Sequence, residues 1–135
     1  MKPVPGGRGF TLVELLVVLA ATALLLGVAL PGYRSQLQRA GRADGVHALT
    51  ALQAAQERFR AAHGLYADRL AALAVPESSL QGRWRIALEA AGVEAYRARA
   101  TALGAQAADG ACAVLTLEVD AGFARSGPDA RCWNR

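Results

Sequence analysis

The sequence predicts an α+β fold, in which one long N-terminal helix packs against an antiparallel β-sheet of three to four strands. Three observations predict it. An apolar run fills residues 10–30, a helical spacing of apolar residues continues to about residue 62, and short segments of alternating polarity follow between residues 84 and 119. With 135 residues, the chain has room for one globular domain of about 100 residues after the apolar run.

The apolar run is long enough to cross a membrane as a helix. Its 21 residues are interrupted only by Thr11, Glu14 and Thr22, and about 20 such residues span a hydrocarbon core of ~30 Å. Basic residues stand on both sides of the run, so charge does not fix the orientation of the helix. In a secretory signal or a plain anchor, Glu14 would cost ~2.5–3.5 kcal/mol near the membrane centre. A carboxylate at this depth is by default functional and needs a partner.

A helix continues after the run, with one weak point near residue 31. Pro31 removes a backbone hydrogen bond and clashes with the carbonyl of Gly27, itself a poor helix former, so we expect a bendable turn there. From residue 33 to about residue 62 apolar residues recur at helical spacing, and Gly64 is a candidate C-terminal cap. The predicted apolar stripe consists of Leu37, Val46, Leu49, Leu52, Ala55 and Phe59.

Three strands are predicted after a connecting region at residues 63–82. They cover residues 84–90, 96–103 and 113–119, and Val114 or Leu115 of the third is expected to face the helix. A short fourth strand is expected near Cys132 and Trp133. Cys112 and Cys132 are the two cysteines, and their position at the end of a membrane-targeted chain suggests a disulfide formed outside the cytoplasm. Two separate buried thiols are the alternative.

Chemistry at a catalytic or metal site finds no support in the sequence. No CxxC or HExxH motif is present, and His47 and His63 lack acid or cysteine partners at catalytic spacing. We expect both histidines to be solvated or to cap backbone groups. The sequence therefore predicts a protein that is not an enzyme and that needs no cofactor or metal.

The start of the chain resembles the type IV pilin and pseudopilin family. The resemblance lies in the short basic leader with Lys2 and Arg8, followed by Gly9-Phe10-Thr11-Leu12-Val13-Glu14 and the apolar stretch. It implies that a prepilin peptidase removes leader residues 1–9 by cutting between Gly9 and Phe10, and that Phe10 is then N-methylated.

The resemblance also implies the organisation of the mature chain and its partners. Residues 10–33 would form the transmembrane and filament-core helix, and residues 34–135 a periplasmic or extracellular pilin domain with a disulfide loop at 112–132. The precursor would lie in the inner membrane as a single-pass protein and then enter an extracellular pilus. Its partners would be other pilin subunits, the prepilin peptidase and the pilus assembly machinery.

Assembly would depend on Glu14, Gly27 and Pro31. Cleavage creates a positive α-amino group at Phe10, and the Glu14 carboxylate of a neighbouring subunit can neutralise it, which offsets two otherwise costly charges. Glu14 would in this way set the axial register of the filament. In the family a proline stands at the position of Pro31, where filaments can extend.

Later stretches resemble the PilE-type minor pilins of proteobacterial type IV pili. The matching segments are residues 53–59, 63–66 and 108–112, and the C-terminal Cys-Trp. The resemblance implies a minor pilin that supports pilus biogenesis, adhesion or twitching motility. A type II secretion pseudopilin is one alternative, although Asp120 and Asp129 are isolated and do not form the calcium loop of the major pseudopilins.

A DNA-binding pilin for natural transformation is the second alternative. The formal net charge of +4 does not by itself indicate nucleic acid as a partner. Arginines at alternate positions of neighbouring strands could form an exposed stripe that contacts phosphates, or they could simply be the polar face of a half-buried sheet. The candidate arginines are Arg125, Arg131 and Arg135 near the C-terminus, and Arg83, Arg85, Arg97 and Arg99 on or beside the strands.

Overall fold

The computed structural model describes residues 9–135 and confirms the α+β architecture of one long helix and a four-stranded antiparallel sheet. The leader residues 1–8 lie outside the described residues. The helix and strands are α1 (Leu12–His63), β1 (Trp84–Ala91), β2 (Ala95–Ala102), β3 (Val114–Asp120) and β4 (Phe123–Gly127). Short 3-10 turns occupy Leu70–Leu73, Gly104–Ala108 and Gly110–Cys112. Neighbours in the sheet are neighbours in sequence, so the strands form a meander in the order β1-β2-β3-β4.

The chain divides into two compact units, Met1–Gln36 and Leu37–Arg135. In the first unit, every residue that the structure describes is exposed. All buried residues of the described part fall between Gly41 and Trp133. Because the second unit contains this whole core and the disulfide, we expect it to fold as a soluble fragment without the apolar segment.

Helix α1 ends where the sequence predicts. Gly64 has a φ of +77°, a conformation that favours glycine, and its N–H donates to the Arg60 carbonyl at 2.8 Å. His63 in the last turn stacks on Phe59, with ring centroids 4.1 Å apart, and its Nδ1 lies 3.0 Å from the Phe59 carbonyl. The expected capping role of this histidine is thus observed.

The buried face of α1 differs from the predicted apolar stripe at both ends. Leu49, Leu52 and Ala55 are buried as expected, but Leu37 is 46% exposed and Phe59 is only half-buried against His63. Polar and small residues take the remaining buried positions: Gly41, Asp44, Gly45 and Gln56. A pattern of apolar residues alone could not identify them.

Gly45 is buried because α1 lies close to Trp84 of β1, and Gly41 is buried because α1 there lies against the Gln106 side chain. A Cβ at Gly45 would meet the indole at 2.7 Å, closer than real contacts allow. The indole N–H of Trp84 donates to the Gly41 carbonyl at 2.8 Å, so this large buried ring has no unpaired polar atom. Gly45 therefore lets a tryptophan fill the space between helix and sheet, and Gly41 leaves room for the Gln106 amide.

Asp44 and Gln56 are buried because each forms hydrogen bonds with the connecting region. The Asp44 carboxylate accepts from the Ser79 hydroxyl at 2.5 Å and from the Gln81 N–H at 3.2 Å. The Gln56 side chain bonds both backbone groups of Ala67, at 2.8 and 3.0 Å. These bonds compensate the burial of polar groups and fix the connection to α1.

The first three strands are confirmed to within one residue at each end, whereas the fourth strand was predicted in the wrong place. It is Phe123–Gly127, which pairs with β3, and Cys132 and Trp133 lie instead in a turn. Pro128 follows β4 directly and has no N–H with which to extend the ladder. Of the two β3 candidates, Leu115 faces the core and is fully buried.

The core also contains two packed tyrosines. Tyr66 and Tyr96 meet edge to face with ring centroids 4.7 Å apart. The Tyr66 hydroxyl donates to Glu57 at 3.0 Å, and burial followed by this bond raises the pKa of Tyr66. Burial also raises the pKa of Tyr96 well above its usual range.

Candidate assembly segment and nucleic-acid interface

The N-terminus of α1 is closed by a reciprocal pair of side chains, Thr11 and Glu14. The Glu14 N–H donates to the Thr11 hydroxyl at 3.2 Å, and the Thr11 N–H donates to the Glu14 carboxylate at 3.2 Å. This is a capping box, which satisfies two backbone donors that the helix leaves free. The sequence carried its signature, a threonine with a glutamate three residues later before an apolar run, although our sequence interpretation considered only the charge of Glu14.

The first half of α1 has the length and composition of a membrane span. Its most apolar window has a mean hydropathy of 2.6, and none of that window is buried within the chain. Thr22, the other polar residue inside the run, donates its hydroxyl to the Val18 carbonyl at 2.7 Å. Every polar side chain of the run is therefore bonded within its own helix, as a hydrocarbon environment requires.

Helix α1 continues through Pro31 without a break. Within residues 9–135, nothing outside the helix's own neighbouring backbone lies within 4 Å of the position that a Cβ would take at Gly27 or at Gly32. The turn thus combines a missing backbone bond at Pro31 with two glycines that no neighbouring side chain supports. That this turn bends or extends stays a prediction.

The C-terminal segment, residues 129–135, is held to the rest of its unit by its backbone and its aromatic ring. Cys132 is joined to Cys112 by the predicted disulfide. The Trp133 indole N–H donates to the Gly127 carbonyl at the end of β4, at 2.8 Å. Asp129 accepts from the Cys132 N–H at 3.0 Å, and this bond is the main reason why the pKa of Asp129 is lowered. The segment is thus an ordered turn on the surface.

Helix α1 supplies two further contacts to this segment. The Arg42 guanidinium, which is bonded to the Asp109 carboxylate, also donates to the Arg131 carbonyl at 3.4 Å. The Asn134 side-chain amide donates to the Arg39 carbonyl at 3.2 Å. The hydrogen bond to Asp109 raises the pKa of Arg42 further above its usual value, so this cation stays charged at any physiological pH.

Arginine side chains project into solvent from this anchored turn. Arg131 is 74% exposed and its guanidinium lies 3.5 Å from the Asp129 carboxylate. Arg135 is exposed and its guanidinium stacks over the Trp133 ring at 5.6 Å from the centroid. Arg39 is exposed on the adjacent turn of α1. Sequence reasoning missed Arg39, because its proximity to the C-terminus is a tertiary contact.

The arginines of the sheet do lie on one face, but two of them are neutralised there. Arg97 contacts Glu118 at 2.7 Å and Arg99 contacts Glu89 at 2.5 Å. Arg125 stands opposite Glu118 in the β3–β4 register, so this carboxylate lies between two arginines. This face of the sheet is therefore a surface of mixed charge and not a stripe of free cations. Arg85 shares this face, whereas Arg83 precedes β1 and is half-buried.

The histidines and possible metal ligands of residues 9–135 are dispersed. No group of three or more His, Cys, Asp or Glu side chains is placed to hold a metal ion there. His47 is exposed on α1, and His63 contacts only Phe59 in the bonds recorded for the described part.

The fold and this segment together define the class of the protein. A helix with an exposed apolar first half continues into a packing helix over a four-stranded meander, and a disulfide holds the C-terminal turn; this is a type IV pilin. In agreement, residues 6–30 match the family described as "Prokaryotic N-terminal methylation motif". Residues 31–116 match the family described as "Type IV minor pilin ComP, DNA uptake sequence receptor", and the chain belongs to this family. A pilin is a structural protein and not an enzyme.

Curated relatives are major pilins of Neisseria gonorrhoeae. The chain is 31% identical to a "Type IV major pilin protein PilE1" over 78 residues, which are 57% of this chain and 36% of that protein. It is likewise 31% identical over 78 residues to a "Type IV major pilin protein PilE", covering 57% of this chain and 47% of that protein. The chain therefore spans about half or less of the length of these relatives. The family match favours the pilin over the pseudopilin alternative.

Proposed function

We propose that this chain is a DNA-binding minor pilin that enters a type IV pilus and there binds duplex DNA for uptake in natural transformation. One observation carries the proposal: the C-terminal segment is fixed by its backbone while Arg131 and Arg135 extend from it into solvent. The match to a family described as a DNA uptake sequence receptor supports the same function.

The proposed contact is between guanidinium groups and the DNA backbone. Arginine binds phosphate through a planar fork of N–H donors, and an arginine on an ordered turn loses less conformational entropy on binding. Residues 37–135 contain twelve arginines against ten carboxylates, so net charge alone cannot provide strong binding. Affinity must come from a local group of arginines, and Arg39, Arg131 and Arg135 are exposed on the C-terminal segment and on the part of α1 that contacts it.

Fluorescence anisotropy with a labelled duplex tests the proposal on a soluble fragment of residues 34–135. We expect binding at low salt that weakens as salt rises, because bound arginines release counterions from DNA. The double variant Arg131→Gln/Arg135→Gln should bind more weakly, and its slope of log K against log salt should be smaller by about two. Absence of binding at low salt, or an unchanged slope in the double variant, would contradict the proposal.

Two matched variants serve as controls. Arg69 is 74% exposed and contacts Asp68 at 3.3 Å, as Arg131 contacts Asp129, but it lies in the connecting region between α1 and β1. Arg97 is 53% exposed but contacts Glu118. Replacement of either by glutamine removes the same charge as Arg131→Gln. Because both residues lie outside the C-terminal segment, both variants should keep nearly the wild-type affinity for DNA if that segment binds it. An equal loss in all variants would indicate only a general charge effect.

Sequence preference needs a separate measurement, since phosphate contacts position a protein on DNA without reading bases. Competition of the labelled duplex by unlabelled duplexes of different sequence measures it. A preference for one sequence supports a receptor of the kind that the family description names. Equal competition by all duplexes restricts the function to sequence-independent DNA binding.

We propose further that the chain reaches the pilus by the route that its N-terminus indicates. A prepilin peptidase cuts between Gly9 and Phe10, Phe10 is methylated, and the Glu14 carboxylate pairs with the Phe10 amino group of a neighbouring subunit. The motif match over residues 6–30 supports this route. The partners are then other pilins, the peptidase, the inner membrane before assembly and the assembly machinery.

A strain that lacks the gene separates DNA uptake from the other roles of minor pilins. We expect loss of transformation while pili and twitching motility remain. Loss of piliation together with transformation would place the role in pilus biogenesis, and loss of adhesion or twitching alone would contradict a DNA receptor.

A further inference from the structure

Three turns meet at the end of the sheet where α1 finishes, and they expose apolar side chains. The Tyr66 N–H donates to the Gly92 carbonyl at 3.1 Å, and the Ala121 N–H donates to the Glu94 carbonyl at 3.0 Å. These bonds join the turn after α1, the β1–β2 turn and the β3–β4 turn. We call their exposed apolar residues the turn patch: Leu65 (44% exposed), Val93 (65%) and Phe123 (76%).

Phe123 is held outward by a tight hairpin. Ala121 and Gly122 both have positive φ, +47° and +83°, which is typical of the two-residue turn that matches the twist of a β-hairpin. Phe123 pairs across the strands with Asp120 on the face opposite the core. A phenylalanine in this position adds nothing to the core, so its aromatic surface is free for a partner.

The charges around the turn patch decide which class of partner fits. Glu94 and Asp120 flank the patch, and neither forms an ion pair with any basic group in the part of the chain that the structure describes. Two unpaired carboxylates repel a phosphate backbone. A protein surface that combines an apolar groove with a cation fits better than nucleic acid.

Such a surface lies at the opposite end of the sheet of this same chain. A groove there is lined by Leu37, Leu103 and Ala105, with Arg83 at its rim. Arg83 has no ion-pair partner within residues 9–135, and Leu37 is nearly half exposed on α1. The two ends of the sheet thus carry opposite charges, and each exposes apolar side chains.

We infer that the turn patch of one copy docks into this groove of a second copy. Phe123 enters the groove beside Leu37 and Leu103, and Glu94 and Asp120 face Arg83. Because the two contacting surfaces differ, the contact is head-to-tail and repeats from copy to copy. This self-association requires no DNA and goes beyond the function proposed above.

Sedimentation velocity of the fragment of residues 34–135, over a range of concentrations and salt, tests the contact. We expect association that weakens with salt, and a loss of about tenfold or more in association constant for Phe123→Ser, since aromatic anchors dominate small interfaces. Leu80→Ser is the matched control, because Leu80 is 88% exposed but lies in a different groove, between α1 and the connecting region. Equal association of all three proteins overturns the inference.

A charge exchange tests the head-to-tail geometry. Glu94→Arg and Arg83→Glu should each associate weakly alone. A mixture of the two should associate again into alternating assemblies that keep growing, since the patch of each variant is then complementary to the groove of the other. A mixture that stays monomeric overturns the inference, as does a Phe123→Ser protein that loses DNA affinity and keeps its self-association.

The full chain in detergent micelles gives an independent readout. With the photocrosslinker p-benzoylphenylalanine in place of Phe123, crosslinked peptides should contain residues 103–106 of a second copy. Crosslinks confined to other regions, or none between copies, overturn the inference. The sedimentation, mixing and crosslinking experiments contain no DNA, so their failure leaves the proposed DNA binding unaffected.

Discussion

The Arg42 guanidinium forms a two-pronged ion pair with the Asp109 carboxylate, with N–O distances of 2.6 and 2.7 Å. The side chains are only 12% and 5% exposed. The Gln106 amide donates to the same carboxylate at 3.2 Å, and Arg42 also reaches the Arg131 carbonyl. One buried pair thereby joins α1, the β2–β3 connection and the C-terminal segment.

Removal of one partner of this pair should be strongly destabilising. Asp109→Asn leaves the Arg42 charge buried without its counter-charge, and we expect a loss of about 3 kcal/mol in the free energy of unfolding. Urea denaturation of the fragment of residues 34–135 measures it. Asp68→Asn, which breaks an exposed pair with Arg69, should cost less than about 1 kcal/mol. Similar losses for both variants would contradict a structural role for the buried pair.

Gly45→Ala should destabilise the protein although alanine is the better helix former. The new Cβ would lie 2.7 Å from the rigid Trp84 indole and 3.0 Å from Leu115, and overpacking of this kind costs about 1–3 kcal/mol. At the exposed position Ala43 the reverse change, Ala43→Gly, should cost about 1 kcal/mol through helix propensity alone. A Gly45→Ala protein more stable than the wild type, in thermal unfolding, would show that α1 moves away from the sheet at little cost.

Loss of the disulfide should weaken both stability and DNA binding. The Cys112–Cys132 bond closes a loop of 20 residues, for which the chain-entropy model gives about 3 kcal/mol. We expect Cys112→Ser/Cys132→Ser to unfold at lower urea concentration and to bind duplex DNA less tightly, because Arg131 lies inside the released loop. Titration of thiols in the denatured, unreduced wild type should find none; two free thiols would contradict the bond.

Asp129 predicts a change of stability at acid pH. The Cys132 N–H, and secondarily Arg131, favour its ionised form, so its pKa in the folded protein is lowered. The resulting stabilisation is complete above the unfolded value of about 4 and disappears as pH falls through the lower folded value. The stability difference between wild type and Asp129→Asn should therefore be present at pH 7 and absent near pH 2, by urea denaturation. A difference independent of pH would assign it to the amide instead of the charge.

Glu14→Ala should separate membrane insertion from assembly. The variant keeps the apolar run, so we expect normal processing and retention in the inner membrane, but poor entry into pili because the Phe10 amino group lacks its partner. Immunoblots of sheared pili and of membranes measure both pools. Thr11→Val provides the control, since it removes the capping hydroxyl and leaves the Glu14 charge. Normal amounts of Glu14→Ala in pili would refute the assembly role.

Periodic features of the chain could be predicted from sequence because each element reports its own environment. The alternation of Trp84 and Ile86 with arginines placed β1 correctly, and the apolar spacing of Leu49 and Leu52 predicted the packing face of α1. Gly64 was predicted as the helix cap from its residue type alone. The local sequence pattern was sufficient for these elements because local interactions determine where they begin and end.

Features that depend on tertiary contacts could not be predicted in this way. Asp44 and Gln56 lie outside the predicted apolar stripe, yet each is buried because its partners lie in the connecting region. The neutralisation of Arg99 by Glu89 depends on a register shift in β1, which the residue pattern does not predict. The misplaced fourth strand has the same origin, since β4 is weakly apolar and exposed along most of its length.

The attachment of the C-terminal segment has a mechanical consequence. Its contacts lead by the disulfide to Cys112 and by hydrogen bonds to Arg39 and Arg42 of α1. A tensile load applied at Arg131 or Arg135 would therefore divide between two routes: hydrogen bonds carry part of it into α1, and the disulfide carries part of it to Cys112 before β3. The C-terminal segment is thus attached at several points that can share a pulling force.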